Sequence, residues 1–231
     1  MNYIETNHHK SYVGPGNQYD LVAAMVFNLL TSLGLRQHHR VIDIGCGSLR
    51  VGRLLIPYLD TQNYIGIEPN RTILDDGIAN EIGTDFLKLK KPILINDSTL
   101  KNHTSDTINA DFIFAQSVFS HCGLDLIDNW LSEVVENLSD SGVFVATFHV
   151  SDSDYDKKGW VYPGSVAYRP DTIQALAKKR SLNFRMLDWS HPRQNWCIFW
   201  KDGADTRLFE NGHVSWNSFM QELCYSTHVK I

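Results

Sequence analysis

Apolar positions along this chain follow two rhythms that take turns. Over "NQYDLVAAMVFNLLTSLGL", Leu21, Met25, Leu29, Leu30 and Leu33 recur at helical spacing, and Gly34 stands where a helix C-cap belongs. "RVIDIG" then predicts a short β-branched strand ending in glycine. After it, "SLRVGRLLIPYL" brings Leu49, Leu54, Leu55 and Tyr58 back to a helical pattern, with Pro57 near its end. The alternation continues. "NYIGIEPN", "KPILIND" and "ADFIFAQS" predict strands, with "RTILDDGIANEIG" weakly helical between the first two. "LDLIDNWLSEVVENL" predicts an amphipathic helix stopped at "SDSG", and "GVFVATFHV" a strand apolar enough to be buried on both faces. A helix over "RPDTIQALAKKRSL", opened by Pro170 and Asp171, leads to two last strands, "NFRMLDW" and "QNWCIFWKD", joined by "SHPR".

Strands alternating with helices imply an α/β fold with a mostly parallel sheet covered on both faces, and two strands joined by so short a link must be antiparallel. Residues 151–169, "SDSDYDKKGWVYPGSVAYR", are too long and glycine-rich for an ordinary connector and are expected to form a lid or substrate loop. The expected organisation is an N-terminal segment and leading helix over 1–34, a main domain over 35–202 and an extension over 203–231. In that extension "SWNSFMQELC" is the only plausible helix.

The loop after the first strand carries the informative chemistry. Gly45 and Gly47 let the backbone turn sharply and approach a ligand, in the place where open parallel sheets bind one. A dinucleotide fingerprint would put a third glycine where Arg50 stands, so a nicotinamide oxidoreductase is disfavoured. Asp43, two residues before Gly45, would repel a pyrophosphate but suits an ammonium group, directly or through water. Glu68 ends the next strand, close to the spacing at which an acid accepts bonds from both ribose hydroxyls, and Asp97 is placed to reach an exocyclic adenine amine. Both acids have plainer readings as turn residues. Cys46 lies within the loop as a small filler rather than a reactive thiol.

These blocks, "VIDIGCG", "YIGIEP", "IND" and "DFIFAQSVFSH", resemble the class I S-adenosylmethionine-dependent methyltransferases over roughly residues 19 to 200. The chain is also similar to bacterial members of unassigned substrate in its "GPGNQYD" lead-in and "HPRQNW" ending. The resemblance implies a Rossmann-like, doubly wound sheet of seven strands with an antiparallel C-terminal strand. It also implies S-adenosylmethionine as cofactor: the methionine moiety at Asp43, Gly45, Cys46 and Gly47, ribose at Glu68, adenine at Asp97, and Gln116 beside the transferring methyl group. The family often has a third glycine where this chain has Leu49.

Methyl transfer is an in-line displacement, so the protein chiefly aligns the acceptor and supplies a base where a proton must leave. The candidates are His121, His149, Tyr162 and His191. Each has a structural alternative: His121 in the cofactor shell, His149 in a helix interface, Tyr162 folding the lid back, and His191 with Arg193 in a turn holding Trp189 and Trp196. If the turn pair works at the site instead, it would grip an acidic group. Asp152, Asp154 and Asp156 make the lid acidic, which favours a cationic substrate.

Composition narrows the classes. In 231 residues, 21 Lys and Arg face 26 Asp and Glu for a net charge of −5, so nucleic acid is not the expected partner. Cys46, Cys122, Cys197 and Cys224 form no CxxC pair and the ten histidines no ligand motif, so no metal is expected. The N-terminus lacks the basic and apolar stretches of a signal peptide and no segment approaches a membrane span, so a cytoplasmic location is expected. The expected function is methyl transfer to an oxygen or nitrogen of a small molecule; the alternative is a non-catalytic domain sensing S-adenosylmethionine or S-adenosylhomocysteine. Oligomeric state stays open.

Overall fold

The computed structural model describes residues 9–101, 103, 107–210 and 214–215. Its strands are β1 (Val41–Ile44), β2 (Tyr64–Ile67), β3 (Ile93–Ile95), β4 (Ala110–Ala115), β5 (Leu138–Val150), β6 (Ala167–Tyr168), β7 (Asn183–Leu187) and β8 (Asn195–Trp200). Seven of them form one path in the order β3-β2-β1-β4-β5-β8-β7, and the short β6 pairs with β5 alone. β1 to β5 pair in parallel, whereas β8 is antiparallel to both β5 and β7. This is the Rossmann-like doubly wound sheet implied above.

Side chains alternate across each strand, so one sheet feeds two cores. Ile42, Ile44, Ile65, Ile113 and Phe144 face helices α5 (Leu124–Asn137) and α6 (Pro170–Lys179). Val41, Tyr64, Phe112, Phe114 and Val145 face α1 (Tyr19–Ser32), α2 (Gly52–Tyr58) and α3 (Arg71–Gly77). A π turn over Ile78–Ile82 leads from α3 to α4 (Gly83–Lys90), and α7 (Arg207–Glu210) follows the last strand. No helix among the described residues is long and apolar enough to cross a membrane.

Three local expectations change. In α1 the buried stripe is Val22, Val26, Leu29 and Leu30, while Leu21 is half exposed, because two overlapping stripes fit the same period and packing selects one. α5 stops at Asn137, just before "SDSG" as expected, but that stretch lies inside the following strand, which begins at Leu138 and not at Gly142. Leu138 pairs with Ala110 and Val143 with Phe112, so residues 139–142 bulge from a single long strand. α2 begins at Gly52 rather than near Leu49, because Leu49 adopts φ 59° and cannot continue a right-handed helix. The helix expected over "SWNSFMQELC", apart from Ser215, and Cys224 lie outside the described residues.

Candidate functional site

The carboxyl ends of β1, β2, β4 and β5 and the start of antiparallel β8 meet along one edge of the sheet, where this architecture binds ligands. At β1 the chain turns through Gly45 (φ 70°) and Gly47 (φ 55°). A Cβ there would lie 2.7 Å from Val118 and 2.4 Å from Val13, so both positions need glycine for conformation and for space. The amides of Gly45 and Cys46 donate to the Ile67 carbonyl, pinning the loop to the end of β2. The next residue, Glu68, completes the tie: its Oε2 accepts the Gly47 amide at 3.1 Å and its Oε1 the Asn70 amide at 2.8 Å. Burial raises the Glu68 carboxyl above its ordinary range against the pull of those two bonds.

Beside this loop lies an open cavity of about 450 Å³. Of the candidate residues, Gly45, Gly47, Glu68, Gln116, His121, His149 and Tyr162 line it. Asp43 is placed beneath the loop, where with Cys46 it borders a much smaller hollow. There the Tyr64 hydroxyl donates to Asp43 at 2.7 Å, and burial pushes the Asp43 carboxyl up to about 7. Burial also pushes the Cys46 thiol upward, which keeps it protonated and unreactive. Asp97 stands outside the cavity wall, accepting the Ser98 amide and facing His103 Nε2 at 2.7 Å. His191 lies behind the wall, 3.0 Å from the Gln116 carboxamide, and burial with the nearby Arg50 and Arg193 charges pushes it down to about 4.

Two imidazoles face the cavity in a defined tautomer. A carbonyl can only accept, so His121 donates through Nδ1 to Gly164 at 2.6 Å and His149 donates through Nδ1 to Arg193 at 3.1 Å. Each neutral ring therefore keeps its lone pair on Nε2. Burial, and then the charges of His149 and Arg193, lower the His121 pKa, with the Gly164 bond opposing. Tyr162 spends its hydroxyl on the Tyr12 carbonyl at 3.1 Å and presents mainly its ring.

The 151–169 stretch is bound to the segment after β4. Val161 and Val166 donate to the His121 and Ser120 carbonyls, and the Tyr168 hydroxyl donates to the Cys122 carbonyl at 2.6 Å. Its aromatic half reaches the cavity through Trp160, Tyr162 and Pro163, whereas Asp152, Asp154 and Asp156 do not line it. Asp154 instead pairs with Arg169 and accepts from Thr172. The three acids from which a cationic substrate was expected are thus not on the cavity wall, and Asp154 is taken up by those two partners.

Sequence reasoning missed two contributors. Residues 11–14 roof the glycine loop, and Arg50, read only as a missing glycine, lines the cavity while almost fully buried. Its Nη1 donates to the Val13 carbonyl at 2.6 Å, its Nη2 donates to Gln116 Oε1, and its Nε has no partner. Its partners Val13 and Gln116 lie 37 and 66 positions away, so the contacts leave no local signal, although its place three residues after Gly47 puts it beside the loop.

Comparison with solved structures places this geometry. The chain matches a magnesium protoporphyrin IX methyltransferase from Synechocystis PCC 6803, crystallised with S-adenosylhomocysteine, at TM-score 0.60 and 9% identity, over 87% of this chain and 88% of that one. The fold is that of the class I S-adenosylmethionine-dependent methyltransferases. Similar matches are an S-adenosylmethionine-dependent methyltransferase from Leishmania major (TM-score 0.61, 16% identity, 80% and 73% covered) and one from Clostridium acetobutylicum (0.58, 14%, 79% and 92%). No protein-family model and no curated protein matches the sequence.

Proposed function

We propose that this chain transfers a methyl group from S-adenosylmethionine to an oxygen or nitrogen of a small molecule. The observation that carries this reading is the direct tie between the glycine loop and Glu68 on the cavity wall, at the ligand-binding edge of a methyltransferase fold. The residues fit the cofactor. Each Glu68 oxygen holds one backbone amide and keeps a lone pair for a ribose hydroxyl. The buried Arg50 guanidinium, with an unpartnered Nε and no ion pair among the described residues, offers a countercharge for the methionine carboxylate. Asp43, with Cys46, supports the loop from below. Asp97 remains the candidate for adenine, from beyond the Asn96 bonds that tie it to the Glu68 side.

When bound, the cofactor supplies an electrophilic methyl group on sulfur. The chain's own part is to align the acceptor and to take its proton, for which Nε2 of His121 or His149 offers a lone pair beside the cavity. Gln116, which accepts from Arg50 and donates to the Ser117 hydroxyl, fixes the wall beside them.

Titration calorimetry with S-adenosylhomocysteine tests the reading. Binding is expected, and Glu68→Gln should weaken it about tenfold or more, because an amide exchanges one acceptor oxygen for a donor facing a backbone N–H. No heat at about 1 mM ligand, in a range where even weak complexes register, refutes the proposal.

A further inference from the structure

We propose that the methyl acceptor is a flat aromatic acid whose anionic group pairs with Arg193 and whose ring lies along Trp160 and Tyr162; this deepens the methyltransferase reading and rests on it. The Arg193 guanidinium lines the cavity and has no ion pair among the described residues. Its backbone is held on both sides. The Arg193 and Gln194 amides donate to His191 Nδ1 at 3.2 and 2.9 Å, and the Arg193 carbonyl accepts from His149. The point where the side chain leaves the backbone is therefore set before any ligand arrives.

Charge balance then selects the ligand. The cavity wall carries two guanidinium groups, Arg50 and Arg193, against one carboxylate, Glu68, whose oxygens already hold two amides. S-adenosylmethionine brings a carboxylate, an ammonium and a sulfonium, so it adds positive charge instead of cancelling it. Its carboxylate answers one guanidinium. A neutral or cationic acceptor would leave the exposed Arg193 guanidinium on the wall unused, whereas an anionic acceptor gains a charge-assisted bond there.

The same excess shows in the hydrogen bonds. His191 Nδ1 accepts two amides, so its Nε2 carries the proton and points at Gln116. Arg50 donates to Gln116 from the other side, so one donor faces a donor whichever way that carboxamide is turned. At the cavity mouth Trp160 and Tyr162 are about half exposed, 56% and 50%, with stacked ring planes 24° apart and centroids separated by 6.3 Å. Exposed rings in this arrangement offer a face to another flat ring.

The test uses the full chain saturated with S-adenosylhomocysteine and titrated with 4-hydroxybenzoate and 4-hydroxycinnamate, each against its neutral amide. The acids should bind about tenfold or more tightly than the amides, the range of a charge-assisted bond. Arg193→Gln should erase that preference and leave S-adenosylhomocysteine affinity within about twofold, while Arg193→Lys, which keeps the charge, restores part of it. A thermal melt of each variant checks that this exposed position leaves the fold intact. Equal binding of acid and amide, or binding of neither, overturns the inference and leaves the methyltransferase reading standing. Loss of S-adenosylhomocysteine affinity in Arg193→Gln with the acid preference unchanged also overturns it, by assigning the guanidinium to the cofactor. Failure of the parent chain to bind S-adenosylhomocysteine removes both.

Discussion

Replacing Asp43 by Asn should make the protein more stable at pH 8 than its parent and leave it nearly unchanged at pH 5. The carboxyl is fully buried, and burial moves it from an ordinary 3.8 to about 7, with the Tyr64 hydroxyl and the Arg50 charge pulling the other way. A raised carboxylate pKa means that the folded state holds the proton more tightly than the unfolded chain does. That contribution to stability is complete below the unfolded value and is lost as pH rises through 7. That rise corresponds to a ceiling of about 4 kcal/mol, from roughly 1.4 kcal/mol for each tenfold change in proton affinity. Asn keeps an oxygen for the Tyr64 hydroxyl and never ionises, so the variant should escape the loss. Urea denaturation of both proteins at pH 5, 6, 7 and 8 measures the difference directly. A gap that does not widen with pH, or one that widens in the parent's favour, would show that Asp43 is ionised in the folded protein and that the cost assigned to its burial is wrong.

Leu49 and the histidine rings carry two further outcomes. Leu49 is fully buried yet sits at φ 59°, so Leu49→Ala loses about 2–5 kcal/mol of packing while keeping a strained backbone. Leu49→Gly loses the same packing but relieves about 1 kcal/mol of strain, and should melt no lower than the Ala variant; at an ordinary helical or strand position the order is the reverse. Proton–nitrogen NMR titration of the histidine rings should find His191 half-protonated near pH 4 and His121 below its ordinary 6.5, with the neutral His121 ring protonated on Nδ1. A His121 midpoint above 6.5 would refute the effect assigned to its burial, and an Nε2–H tautomer would remove it as a base.

The framework of the fold was legible because sheet faces write themselves into the sequence at short range. Val41 with Phe112 and Ile42 with Ile113 sort into opposite cores by alternation alone, and the glycine loop needs only residues within a few positions of one another. The α1 stripe marks the limit of that signal. Leu21 and Met25 satisfy the helical period as well as Val22 and Val26, and only the sheet beneath decides which set is buried. Periodicity holds no record of which polar side chains will meet across the cavity. Arg50 reaches Val13 across 37 positions, and Tyr162 reaches Tyr12 across 150. The 151–169 stretch shows the consequence for charge. Its three acids suggested a negative site, but Asp154 is taken up by Arg169, and the charges left on the wall are those of Arg50, Arg193 and the doubly bonded Glu68. The sign of a binding site is thus set by which charges are left without partners after folding. A count of nearby residues in the sequence includes both paired acids such as Asp154 and acids that, like Asp152 and Asp156, are not on the wall.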